Sequence, residues 1–259
     1  MQVLKLGSRS PFVATVQLFL IGQGFYSGAA DKDFGPKTEA AVKAYQKKKG
    51  VVADGVVGNQ TLALMMSDGM PVVEANYDAS FPPKPSSLTP LVSNSERGKL
   101  LGAFRYEAAP EKDNPEAIRI LGDWEDKNIV TFSVPQLVKL GLSKTGNVRL
   151  HKFAQDNMLA LWAAWEKAKL LKLVLSYDGG FVPRFVRGSR SSLSNHAFGT
   201  AFDINYEWNQ LGAVPAYKGD EGSVRELVPL ANENGFYWGG HYDSRLDGMH
   251  FELAREALS

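Results

Sequence analysis

The chain has 259 residues, 29 basic and 28 acidic, a pI near 7.8 and no cysteine. That length suits one ordinary domain plus a smaller one. The balanced charge gives no reason to expect nucleic acid or an anionic membrane as partner, and the missing cysteines exclude disulfides and thiolate metal ligands alike.

The first apolar run, "PFVATVQLFLI" (11–21), follows Lys5 and Arg9, as the apolar part of a signal peptide would. Thr15 and Gln17 interrupt it, and Ser10 before Pro11 reads as a cap and first helical position. The expectation is a buried helix of a folded domain, with no export signal. No other run approaches the ~20 apolar residues of a membrane span. Two turn motifs follow, "DKDFGPKT" (31–38) and "DGVVGNQT" (54–61), in which Asp31 matches Asp54, Gly35 matches Gly58 and Thr38 matches Thr61 at a constant offset of 23. Each leads into a helical pattern with its Thr at the cap or in the first turn. An all-α three-helix domain is therefore predicted over residues 1–70. The repeated Asp, Gly and Thr read as turn builders, and Lys47, Lys48 and Lys49 as a solvated helix end that suits the helix dipole.

Five of the thirteen prolines fall between Pro71 and Pro90, so residues 71–95 read as a semi-rigid linker. Globular composition returns over 96–259. "HKFAQDNMLALWAAWEKAKLL" (151–171) places Phe153, Leu159, Leu161, Trp162, Trp165 and Leu170 at helical spacing, and both Trp are assigned to the core. Three short alternating runs follow, "KLVLSYDGGF", "TAFDIN" and "GMHFEL". The fold class is α+β: a small all-α N-terminal domain and a larger α+β domain with an antiparallel sheet.

Alternation in these runs carries the chemistry. In "TAFDIN", Phe202 and Ile204 share one face and Asp203 takes the other; in "GMHFEL", Met249, Phe251 and Leu253 oppose His250 and Glu252. Gly199 supplies a turn that folds His196 back beside Asp203. A His, Asp, His set suits zinc: three protein ligands of nitrogen and oxygen type, with a further position for water. Only four histidines occur in the chain.

"SNHAFGTAFD" has the form S-x-H-x-x-G-x-A-x-D, and "DGMH" sets a carboxylate three residues before a final histidine. Together they resemble the zinc D-alanyl-D-alanine peptidase family, which includes carboxypeptidases and the L-alanyl-D-glutamate endopeptidases of phage lysins. The likeness runs from about residue 100 to the end. The N-terminal segment resembles the three-helix peptidoglycan-binding domain of wall hydrolases. By this resemblance His196, Asp203 and His250 are the zinc ligands and Asp247 the acidic general base. Because many members carry Glu at that place, the Asp leans the substrate toward the endopeptidase branch. The resemblance also implies an oxyanion-stabilising arginine, matched best by Arg184, then Arg187, with Arg190 also in "YDGGFVPRFVRGSRSS". Asp247 stands three residues from His250, so "DSRLDG" (243–248) is expected to be a loop ending before the strand. Ser194 is expected to hydrogen-bond near the site, Asn195 and Gly199 to form turns, and Glu252 to orient an imidazole. His241 is a groove candidate; Tyr237 and Trp238 line the cleft or fill the core.

The implied function is a zinc-dependent peptidoglycan peptidase, with L-alanyl-D-glutamate endopeptidase favoured and D-alanyl-D-alanine carboxypeptidase next. The expected context is a monomeric phage endolysin made in the cytoplasm that acts on the bacterial wall, without nucleic-acid or membrane partners. The competing reading is a noncatalytic wall-binding protein with a structural zinc site, which four protein ligands, often cysteines, would normally close.

Overall fold

The computed structural model describes residues 4–9, 11–70, 80–112, 114–243 and 245–258. The chain forms two compact units, the first holding Met1–Asp78 and Gln210–Val214 and the second Ala79–Asn209 and Pro215–Ser259. Ser10, read as a helix cap, and residues 71–79 of the proline-rich stretch lie outside the described residues.

The first unit contains α1 (Pro11–Gly22), α2 (Pro36–Lys48) and α3 (Asn59–Ser67). Extended Gly35 and Gly58 precede α2 and α3, and Pro36 occupies the first position of α2, where its missing N–H costs nothing. Val13, Val16 and Leu20 of α1 meet Val42 and Tyr45 of α2, Leu62 and Met65 of α3, and Phe34 between them in one core. The two turn motifs are tied down in the same way. The Gln17 amide nitrogen reaches Asp31 Oδ1, the Asp33 carbonyl and Thr38 Oγ1 at 2.8, 2.9 and 3.0 Å. Gln46 repeats this with Asp54 Oδ1, the Val56 carbonyl and Thr61 Oγ1, at the same three distances. The repeated Asp and Thr are thus turn builders, each set pinned by a buried glutamine from a neighbouring helix. Lys49 pairs with Asp68 at 2.6 Å, while Lys48 lies over the Phe25 ring.

In the second unit, residues 80–95 are folded rather than free-running. Phe81 packs on the main core, Leu91 is buried, and the Thr89 N–H donates to Glu256 at 2.8 Å. The stretch is proline-rich, yet Phe81 and Leu91 carry apolar surface that is best removed from water. Ser93 caps α4 (Asn94–Leu101), accepting from the Glu96 N–H. Then come the antiparallel pair β1 (Arg105–Ala108) and β2 (Ile118–Leu121), α5 (Trp124–Asn128), β3 (Ile129–Ser133), α6 (Pro135–Lys139) and β4 (Asn147–His151), which pairs with β3. The long helix predicted over 151–171 is α7 (Gln155–Lys167); His151 ends β4, its N–H bonded to the Gly199 carbonyl, and its Nδ1 accepts from the Phe153 N–H. Phe153 is half-exposed as a result, whereas Leu161, Trp162 and Trp165 are fully buried.

The principal sheet has the order β5 (Tyr177–Gly179), β6 (Ala201–Ile204), β8 (His250–Leu253), β7 (Phe236–Trp238), all antiparallel, with α8 (Val228–Glu233) before β7. One face is apolar: Phe202, Ile204, Phe236, Trp238, Phe251 and Leu253 pack with Trp162 and Trp165 of α7. Phe202 and Phe251 are cross-strand partners with rings stacked at 5.5 Å, which locks the β6–β8 register. The α+β class and the antiparallel sheet are as the sequence predicts.

Candidate metal centre

Because β6 and β8 put Phe202 and Phe251 on the core side, the alternation turns Asp203 and His250 to the opposite face. The register sets them directly across from each other. His196 arrives from a single-turn 3-10 helix, Asn195–Phe198, whose N-cap Ser194 accepts from the His196 N–H at 3.3 Å. Gly199 ends that turn at φ 68° and sits so close to β4 that a Cβ there would stand 2.7 Å from the His151 nitrogen. Only glycine meets both conditions without strain.

Three donor atoms converge. His196 Nε2 lies 3.2 Å from Asp203 Oδ1 and 3.2 Å from His250 Nδ1, and His250 Nδ1 lies 3.0 Å from Asp203 Oδ1. All three residues are buried, and their ligand atoms fall within 4.8 Å of one another. The outer nitrogen of each imidazole is engaged elsewhere. His196 Nδ1 donates to the Gly180 carbonyl at 2.7 Å, and His250 Nε2 donates to Glu252 Oε2 at 3.2 Å. With the outer protons so placed, it is the inward nitrogens that can give up a proton and offer lone pairs to a metal, the arrangement a metal-binding imidazole needs. Two imidazole nitrogens and one carboxylate suit zinc, and three protein donors match catalytic rather than closed structural sites.

Without a cation these groups share protons. Burial raises the Asp203 value, but the charges and hydrogen bonds of His196 and His250 override it and hold the carboxylate far below its usual range. For His250 burial acts downward, and the Asp203 and Glu252 carboxylates outweigh it, carrying the imidazole up to about 10. Asp247 stands in the opposite regime. Burial, with Asp203 nearby as a second negative charge, pushes its carboxyl up to about 7 despite His250 and Arg184.

Asp247 lies outside the strand, as expected for 243–248, of which residue 244 is not described. Its N–H donates to the Gly239 carbonyl at 2.9 Å, its carbonyl accepts from the His250 N–H at 3.1 Å, and Trp238 Nε1 fastens the next residue through the Gly248 carbonyl at 2.7 Å. A Cβ on Gly239 would meet the Asp247 carbonyl oxygen at 2.6 Å, so the turn depends on that glycine. Asp247 Oδ1 is buried with no hydrogen-bond partner among the described residues.

Of the three arginines, Arg184 is the one whose charge acts on Asp247, while its Nη1 donates to the Phe185 carbonyl at 3.2 Å. Burial lowers its value, and the opposing influences come first from Asp203 and then include Asp247. Arg187 is engaged by Glu116 at 2.7 Å and Asn114 at 2.8 Å, and Arg190 is exposed. His241 is not a groove residue: it is buried against Trp238 and Phe81, and its Nε2 donates to the Pro82 carbonyl at 2.8 Å. Tyr237 and Trp238 are core residues. Asn195, read as a turn former, does more: its side chain joins buried Arg97 to buried Glu252. Nothing in the sequence flags Arg97, 98 residues before Asn195.

Residues 187–253 match the family model described as D-alanyl-D-alanine carboxypeptidase, and residues 9–65 match a peptidoglycan binding domain. The two resemblances expected from the sequence thus hold over these segments. A curated relative, the N-acetylmuramoyl-L-alanine amidase CwlM of Mycobacterium tuberculosis, is 46% identical over 50 residues, 19% of this chain and 12% of the relative, so the chain spans about an eighth of that protein. Among solved structures, the SleB N-terminal domain is 33% identical over 26% of this chain and 92% of its own, with a TM-score of 0.26. A fused Zn-dependent amidase/peptidase/peptidoglycan-binding protein of Clostridium acetobutylicum is 38% identical over 25% of this chain and 28% of its own, with a TM-score of 0.23. The Burkholderia AP3 phage endolysin is 23% identical over 39% and 33%, with a TM-score of 0.25.

Proposed function

We propose that the second unit is a zinc-dependent peptidase that cuts a stem-peptide bond of bacterial peptidoglycan, and that the first unit holds it on the wall. The L-alanyl-D-glutamate bond is favoured over D-alanyl-D-alanine because an Asp, not a Glu, precedes the last histidine. The family matches over 9–65 and 187–253 support this reading. The observation that carries it is local: three buried donors with locked outer nitrogens stand beside a buried carboxylate whose Oδ1 has no hydrogen-bond partner among the described residues. His196, Asp203 and His250 would hold the ion. Zinc held there supplies Lewis-acid polarisation of the scissile carbonyl and acidifies a water. Asp247 Oδ1 accepts the proton of the attacking water and returns it to the leaving amine. Arg184, rather than the already paired Arg187, faces the negative charge that develops on the carbonyl oxygen. One chain contains every group named, so a monomer suffices. A phage endolysin is the context this combination fits.

Digestion of purified peptidoglycan, followed by mass spectrometry of the fragments, tests the reading. New L-alanine carboxyl and D-glutamate amine ends are expected, and a chelator should suppress them. Asp247→Asn should retain about one zinc per chain yet lose ~10²–10⁴ in kcat. Intact peptides after digestion by the zinc-loaded chain would refute the activity, and a fully active Asp247→Asn would refute the role of Asp247.

A further inference from the structure

The metal cluster rests on a second buried group of polar side chains, of which the reading above uses only the bond from His250 to Glu252. Glu252, next but one to His250 on β8, is fully buried, and four donors converge on it. Its Oε1 accepts the Leu91 N–H at 3.2 Å; its Oε2 accepts the Tyr242 hydroxyl at 2.6 Å, the His250 Nε2–H at 3.2 Å and the Asn195 amide Nδ2. A side chain surrounded only by donors acts as a carboxylate acceptor. Arg97 on α4 is 3% exposed, and its Nε donates to Asn195 Oδ1.

This fixes the amide of Asn195. Its oxygen must face the guanidinium, which only donates, and its nitrogen must face the carboxylate, which only accepts; flipped, donor would meet donor and acceptor would meet acceptor. With the amide set, Glu252 Oε2 is aimed at His250, and Nε2 of that ring must carry the proton. The lone pair then belongs to Nδ1, the atom 3.0 Å from Asp203 and 3.2 Å from His196. Arg97 also supplies the positive charge that a carboxylate buried this deeply requires. Asn195 directly precedes His196, so the same chain steadies the turn that delivers the other imidazole. The Arg97 guanidinium is itself held by Asn94 Oδ1 at 3.2 Å, and that oxygen also accepts the Leu193 N–H at 2.9 Å.

We propose that Arg97, Asn195 and Glu252 form a buried positioning relay that fixes which ring nitrogen of His250 faces the cluster and so sets the affinity of the site for zinc. The proposal rests on the zinc reading above. In Glu252→Gln one of the two acceptor oxygens becomes a donor, so either Leu91 or the trio on Oε2 loses its partner. Arg97→Lys keeps the charge but removes the Nε–H aimed at Asn195, freeing the amide to turn. Loss of partners that orient a metal ligand weakens metal binding by about 10–100-fold.

The test is zinc competition against a chromophoric chelator, together with the NMR signal of the His250 Nε2 proton in the zinc-loaded protein. Wild type should show that proton exchanging slowly with water. Glu252→Gln should bind zinc about 10–100-fold more weakly and Arg97→Lys about tenfold more weakly, and both should lose the slow exchange. A merely structural contribution would lower the melting temperature without moving that proton. Should Glu252→Gln fail to fold, the charge-preserving Arg97→Lys decides. Wild-type affinity together with a protected Nε2 proton in Arg97→Lys would overturn the relay. A wild-type chain that takes up no zinc would instead overturn the reading on which the relay depends.

Discussion

Asp203 and Asp247 lie in one buried site, and their surroundings drive them apart. Asp203 lies within 3.2 Å of two imidazole nitrogens and its carboxyl is held far below its usual range; Asp247 Oδ1 has no such partner among the described residues, and burial carries its carboxyl up to about 7. The sign of the resulting pH dependence follows. Between the ordinary carboxyl value of 3.8 and about 7, the folded metal-free protein holds a proton on Asp247 that the unfolded chain has released. Stability from this group is present below 3.8 and is lost as pH rises toward 7. His250 adds a loss of the same sign from 6.5 up to about 10, and Asp203 acts oppositely, in acid. Urea unfolding of the metal-free chain should therefore show stability falling from about pH 4 to about pH 7, and falling less in Asp247→Asn. Parallel curves for the two proteins would mean that Asp247 titrates at its ordinary value.

Among the elements, those whose sequence pattern carries a period were legible. β6 and β8 alternate apolar with polar side chains, and that alone separates Asp203 and His250 from the aromatic core. Between residues 96 and 150 no element is evident in the sequence, yet β1 to β3 and all but the last residue of β4 lie there. β1 is exposed throughout, so no hydrophobic period marks it, whereas β4 does alternate, with Val148 and Leu150 buried and Asn147 and Arg149 exposed, but over only five residues. In the first unit the repeat was legible, but its glutamines were not, since Gln17 and Gln46 stand 29 residues apart where the motifs stand 23 apart. Gln46 is buried, and besides the three groups on its amide nitrogen it accepts the Gly55 N–H at 2.9 Å. Gln46→Ala should leave buried groups unpaired and cost at least about 1–3 kcal/mol. Exposed Lys47→Ala should stay within about 0.5 kcal/mol of wild type. Thermal unfolding of residues 1–70 distinguishes them, and equal melting temperatures would show that the glutamine pins nothing.

The whole molecule invites division near residue 80 rather than 96. Thr89 and Leu91 donate to Glu256 and Glu252, and the Pro82 carbonyl holds His241, so a chain starting at residue 96 lacks partners for buried groups. A chain starting at residue 80 should keep its hydrolytic activity on solubilised peptidoglycan, and one starting at 96 should melt lower and hold zinc less tightly. Residues 1–70 alone should sediment with purified peptidoglycan; protein left in the supernatant would remove the anchoring role. By itself the sequence determined the α+β class, the three-helix unit, and the grouping of His196, Asp203 and His250, because strand alternation and a turn glycine are local properties that composition displays directly. Only the tertiary structure decided the rest: that Arg97 stands behind Glu252, that Arg187 is already paired, that His241 is core, and that residues 80–95 belong to the second unit. Each of these depends on contacts between segments far apart in the chain, and no local period records such contacts.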